Sequence, residues 1–156
     1  MKPGKSVTGA LGAAMLIGAA LAPAHASEQR TKPILGIDSA ALAKFGGAQG
    51  VHNWVESLFY YIMLDNRINW IFKEFGNVER QIALNTQLEQ MVLGGNVEYQ
   101  GASMAAAHAD LNITMAQFNA VVEAAYNACE RNNISYYACN QLINALAPFT
   151  DDIVTH

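Results

Sequence analysis

The sequence predicts an all-α domain, and three observations predict it. Apolar residues recur at spacings of three and four in successive segments. Glycine pairs and Ser, Thr or Asn residues punctuate those segments where helices stop and start. No segment shows sustained alternation or a hairpin signal, so strands are not expected. At 156 residues the chain is long enough for one domain with a real core.

The chain opens like an exported protein. Lys2 and Lys5 form a positive start, Val7 to Leu21 is small and apolar, and Ala24-His25-Ala26 is a small-x-small cleavage signal. Residues 1–26 therefore read as a secretory signal peptide, residues 27–37 as a linker containing Pro33 and Gly36, and residues 38–156 as the folded domain. An uncleaved anchor is the other reading, but the apolar run is short for a span of ~20 residues. Later stretches are neither long nor apolar enough to cross a bilayer, so an integral membrane protein is not expected. In a double-membrane bacterium the mature chain would be periplasmic.

Loss of Lys2 and Lys5 takes the formal charge from -4 to -6, because the leader holds no acidic residue. The remaining basic residues (Arg30, Lys32, Lys44, Arg67, Lys73, Arg80 and Arg131) do not cluster. An acidic chain without a basic patch excludes nucleic acid as a partner, since phosphate neutralisation supplies most of that affinity. Cys129 and Cys139 are ten residues apart. An oxidising compartment favours a disulfide between them, and two buried free thiols remain the alternative. Their spacing is not the Cys-x-x-Cys-His of covalent haem attachment.

Asp38 or Ser39 can cap a short helix through Phe45, which Gly46-Gly47 stops. A helix over about Ala48 to Leu64 follows, with Val51, Trp54, Val55, Leu58, Phe59 and Ile62 on its apolar face. Asp65-Asn66 breaks it, and a short segment covers Ile68 to Phe72. Gly76-Asn77 opens a helix of about Val78 to Leu93, with Ile82, Leu84, Leu88, Met91 and Val92 inside. Ser103 to Ala109 gives at most two turns. Thr114 caps a helix of about Met115 to Arg131, with Phe118, Val121, Val122 and Ala125 inside. The last helix is expected over Tyr136 to Phe149, with Ile143, Leu146 and Ala147 inside.

Candidate chemistry centres on His108. The expected mature chain has three histidines, His52, His108 and His156, and no His-x-x-x-His or Glu-x-x-His pair for a multi-histidine metal site. A lone histidine is usually structural, but the setting of His108 is unusual. Ala105, Ala106, Ala107 and Ala109 surround it with methyl groups, which would let a flat ligand approach, and Met104 lies one turn earlier on the same side. One neutral imidazole beside small apolar residues suits the axial position of a haem iron. His52, seven before Phe59 and on roughly the same face, reads as an ordinary partly exposed histidine.

The stretch from Leu93 to Ile113, LGGNVEYQGASMAAAHADLNI, resembles a truncated-globin pattern: a double glycine, Tyr-x-Gly, Met-x-x-Ala-His, then Leu-x-Ile. Thr114 to Val122, Leu146 to Val154, Lys44-Phe45-Gly46-Gly47 and Leu64 to Ile68 are also similar to motifs of that family, so the resemblance covers about Leu42 to Val154. It is nearest to the first group. It implies a two-over-two helical sandwich around haem b, with His108 as the iron ligand and Phe72 packed on the haem. Where the family usually carries a tyrosine that hydrogen-bonds the bound gas, an ungapped count places Phe59. Tyr60 and Tyr61 are adjacent, but one residue turns a helical side chain by about 100°. Gln81 and Asn85 fall at the family's two polar positions, and Leu84 falls where some relatives carry a second histidine.

The implied function is reversible binding of a diatomic gas (oxygen, nitric oxide or carbon monoxide) at an open iron site. The alternative is a haem enzyme, a nitric oxide dioxygenase or peroxidase-like, which would need a separate reductase because the chain has no flavin or nicotinamide domain. A helical binding module without haem is a third possibility, since fold does not fix function.

Overall fold

The computed structural model describes residues 40–156, so the expected signal peptide, the linker and the capping residues Asp38 and Ser39 lie outside the described residues. Within them lie α1 (Ala41–Lys44), α2 (Gly47–Leu64), α3 (Asn69–Glu74), α4 (Val78–Val92), α5 (Met104–His108), α6 (Met115–Arg131), α7 (Tyr136–Leu146) and α8 (Thr150–Ile153), with a 3₁₀ turn at Ala147–Phe149. Among the described residues there is no strand, only a single parallel bridge between Ile113 and Val154.

The helix starts follow from side-chain caps. Thr114 Oγ1 accepts the Gln117 N–H, and Gln117 Oε1 accepts the Thr114 N–H in return. This reciprocal pair satisfies two donors that a helix N-terminus leaves open. Asn77 Oδ1 accepts from Arg80 N at 2.8 Å, and Ser135 Oγ from Ala138 N at 3.3 Å. Between α1 and α2 the chain turns through Gly46 (φ 84°) and Gly47 (φ 71°), a left-handed conformation that glycine adopts without steric penalty.

Four helices form two layers. α2 packs on α4 and on α6, α6 packs on α7, and α4 also meets α7. This is the two-over-two arrangement that the resemblance implies. The apolar face read from α2 is buried in full: Val51, Trp54, Val55, Leu58, Phe59 and Ile62 are each at most 5% exposed. Burial of side chains of this size contributes about 1.5–3 kcal/mol each.

Four expectations need correction. The last helix was expected to reach Phe149, but it ends at Leu146, where Pro148 lacks the N–H a continuing helix needs and forces a 3₁₀ turn. Ala147, expected inside, is exposed. The separate helix α8 lies beyond the expected end of helical structure. In α6 the packing face divides in two. Ala120, Ala124 and Ala128 are fully buried against the core, whereas Phe118, Val121 and Val122 are only half-buried because they border a cavity.

The disulfide between Cys129 and Cys139 is formed, joining the end of α6 to the start of α7 with Cα atoms 6.2 Å apart. Both residues are buried.

Candidate functional site

A largely apolar cavity of about 340 Å³ lies between α2, α4, α6 and the short helix α5. That size is within the usual range for sites that enclose a small organic molecule.

His108 ends α5 and borders this cavity, half-buried. Helix α5 starts where Ser103 Oγ accepts the Ala106 N–H at 3.2 Å. His108 Nδ1 lies 2.7 Å from the Met104 carbonyl oxygen. A carbonyl can only accept, so Nδ1 carries the proton and Nε2 is left as a bare lone pair. Second contacts of this kind orient a histidine that binds metal. Met104 thus contributes in two ways: its side chain borders the cavity and its carbonyl sets the tautomer.

The cradle of alanines is smaller than expected. Ala105, Ala106 and Ala109 are exposed and stand outside the cavity wall; Ala107 alone borders it. Successive residues on so short a helix point about 100° apart, so they cannot all surround one neighbour.

The α2 wall consists of Trp54, Leu58, Phe59 and Ile62. Phe59 is 2% exposed and meets Phe72 edge-on, with ring centroids 5.7 Å apart. Tyr60 is half-exposed under the Arg131 guanidinium, and Tyr61 packs edge-on against Tyr60. Neither tyrosine borders the cavity. His52 also lies outside it, with Nδ1 at 3.3 Å from Thr86 Oγ1 and Nε2 at 3.5 Å from Glu56.

Helix α4 supplies the polar wall. Gln81 and Asn85 both border the cavity, as does Leu84 between them. Asn85 Nδ2 donates to the Gln81 backbone carbonyl at 2.9 Å, so one of its two amide hydrogens is spent within its own helix. The Gln81 amide lies directly over Gly76, where a Cβ would collide with it. Gln81 Oε1 is buried without a hydrogen-bond partner. Such an orphan is rare in folded proteins and points to a polar group that belongs beside it.

Two further residues of the wall escaped the sequence reading. Tyr99, from the loop after α4, is half-buried there, and burial pushes its hydroxyl up despite the opposing charge of Arg80. Its signal was present, since it is the tyrosine of Tyr-x-Gly. Glu89 is the other. It is 3% exposed, Oε2 has no partner, and desolvation pushes its carboxyl from 4.5 up to about 8.

Among the described residues, no cluster of three or more His, Cys, Asp or Glu side chains could hold an ion. A metal bound by His108 must then bring most of its own ligands, as a porphyrin does. An apolar cavity, one histidine with a free Nε2 and an orphaned amide oxygen fit a haem with a polar ligand beside it.

The helical sandwich and this cavity define a globin. A model of the bacterial-like globin family matches residues 41–155, and the chain belongs to that family. Globins are haem proteins, so haem is the cofactor the family brings to this fold. Among curated relatives, the group 1 truncated hemoglobin of Tetrahymena thermophila is 32% identical over 80 residues, and that of Tetrahymena pyriformis 29%. Each match covers 51% of this chain and 65% of the relative's length. The solved truncated hemoglobin of Tetrahymena pyriformis in its Fe(III) form superposes with a TM-score of 0.70 at 22% identity, covering 74% of this chain and 98% of that one. The 2/2 hemoglobin of Synechococcus sp. PCC 7002, in the cyanomet state with covalently attached heme, gives 0.68 at 24% identity with the same coverage.

Proposed function

We propose that this globin holds haem through His108 Nε2 and binds a diatomic gas reversibly in the cavity walled by Phe59, Gln81 and Asn85. The observation that carries the reading is the 2.7 Å bond from His108 Nδ1 to the Met104 carbonyl, which leaves Nε2 as the free ligand atom. Haem, when bound, supplies an iron with an open position for the gas. Phe59 and Phe72 give the cavity a dry aromatic wall, and Gln81 and Asn85 offer amide groups that can hydrogen-bond a ligand. Leu84 has no ligand atom, so it leaves the open position open.

The absorption spectrum of the mature chain tests this, in the ferric state and after dithionite, with and without carbon monoxide. The expected result is a strong Soret band and a five-coordinate reduced form that takes up carbon monoxide. The absence of a Soret band after haem reconstitution would overturn the reading.

We also infer that residues 1–26 are removed on export, leaving residues 27–37 as a linker ahead of the domain. The buried Cys129–Cys139 disulfide supports the export part of this reading, because such bonds persist in oxidising compartments. N-terminal sequencing of protein from the exported fraction should begin at Ser27.

A further inference from the structure

Gln81, Asn85 and Glu89 are four residues apart along α4, and all three border the cavity. That spacing places them in one row on a single helix face. Glu89 differs from the two amides because it can change charge. It is buried, Oε2 has no partner, and the wall it shares is largely apolar, with Leu88 and Trp54 among its residues. An ionised carboxylate in such surroundings is strongly disfavoured.

The titratable groups around it do not compensate. On α2, His52 pairs with Glu56, while Tyr60 and Tyr61 pack on each other. On α7, Tyr136 and Tyr137 are exposed. On α4 itself, Glu79 and Arg80 lie more than two turns away. Glu98 on the following loop is exposed, and Tyr99 and His108 share the cavity wall. Desolvation is the cause of the raised Glu89 carboxyl, with no ion pair opposing it.

We propose that Glu89 is a third ligand-facing residue of the cavity, a neutral carboxylic acid whose O–H donates a hydrogen bond to the small molecule held there. This rests on the haem reading given above. A donor that loses its proton makes the cavity selective: a ligand that accepts hydrogen bonds is held by the acid form and repelled by the carboxylate. The amides of Gln81 and Asn85 cannot supply that dependence on pH.

The test is infrared spectroscopy of the haem-loaded protein, reduced and saturated with carbon monoxide, from about pH 6 to about pH 10. The parent, E89Q and E89L are compared; the leucine variant guards against a glutamine that disturbs packing. Two results are expected. A protonated carboxylic acid band persists at neutral pH in the parent and is missing from both variants. The carbon–oxygen stretch of the probe shifts as that band titrates, and the shift is lost in both variants. Absence of the acid band from the parent overturns the proposal, as does a probe band with the same pH profile in all three proteins. Either outcome with a normal Soret band leaves the haem reading standing. A missing Soret band instead overturns the haem reading and this proposal together.

Discussion

The indole N–H of Trp54 donates to the Sγ of Cys129 at 3.1 Å. One side of Trp54 borders the cavity, and the other touches the disulfide that joins α6 to α7. The bridge is therefore one residue removed from the site.

Replacing Cys129 and Cys139 together with serine should destabilise the protein by about 2–3 kcal/mol, the loop-closure contribution for so short a loop. Urea denaturation measures this. Tryptophan fluorescence of the folded variant should also change, because Trp54 loses a sulfur partner. An unchanged denaturation midpoint would mean that the bridge contributes little beyond the packing around it.

His108→Ala should abolish the five-coordinate reduced spectrum, and added imidazole should restore it by filling the space of the lost ring. The Soret region reports both. If the alanine variant kept the parent spectrum, another residue would have to be the ligand.

Phe59→Tyr places a hydroxyl on the α2 wall of the cavity, where the parent has none. A hydrogen bond to a charged or strongly polar ligand contributes about 1.5–3 kcal/mol, so oxygen release should slow roughly tenfold or more. Stopped-flow oxygen dissociation measures it. An unchanged rate would show that the hydroxyl cannot reach the ligand from this position.

Glu89 gives stability a particular slope with pH. Its carboxyl is raised in the folded state from 4.5 to about 8. The folded protein therefore binds more protons than the unfolded chain between those values, and stability falls as pH rises through that window. It is fully present below the unfolded value and levels off above the folded one. The total is on the order of a few kcal/mol. Urea denaturation across the window should show a steeper fall in the parent than in E89Q or E89L. Parallel curves would mean that Glu89 is solvated in solution.

Much of this was legible in the sequence, for local reasons. The buried face of α2 is apolar at every position but Ser57, and Thr114 announces α6 through a side chain that acts on its own helix start. His108 was legible through the motif around it. Glu89 was not, because a glutamate on an amphipathic helix ordinarily faces water. Its burial depends on how other helices pack against α4, which no local pattern records. The split face of α6 was hidden for a similar reason: periodicity separates inside from outside, but it does not separate a packed interior from a cavity wall. The alanines around His108 were over-read, since adjacency in sequence is not adjacency around a helix.

The C-terminal segment runs back over the histidine side of the molecule. Helix α8 packs on α5, and the N–H groups of Thr155 and His156 both reach the carbonyl of Ile113, at 3.0 and 3.3 Å. Ile113 lies five residues beyond His108. An affinity or fluorescent group attached at His156 would therefore leave the surface beside His108. It would load the short helix that presents the imidazole and distort the spectra it was meant to help collect. Reporter designs for this globin should be attached upstream of Ala41.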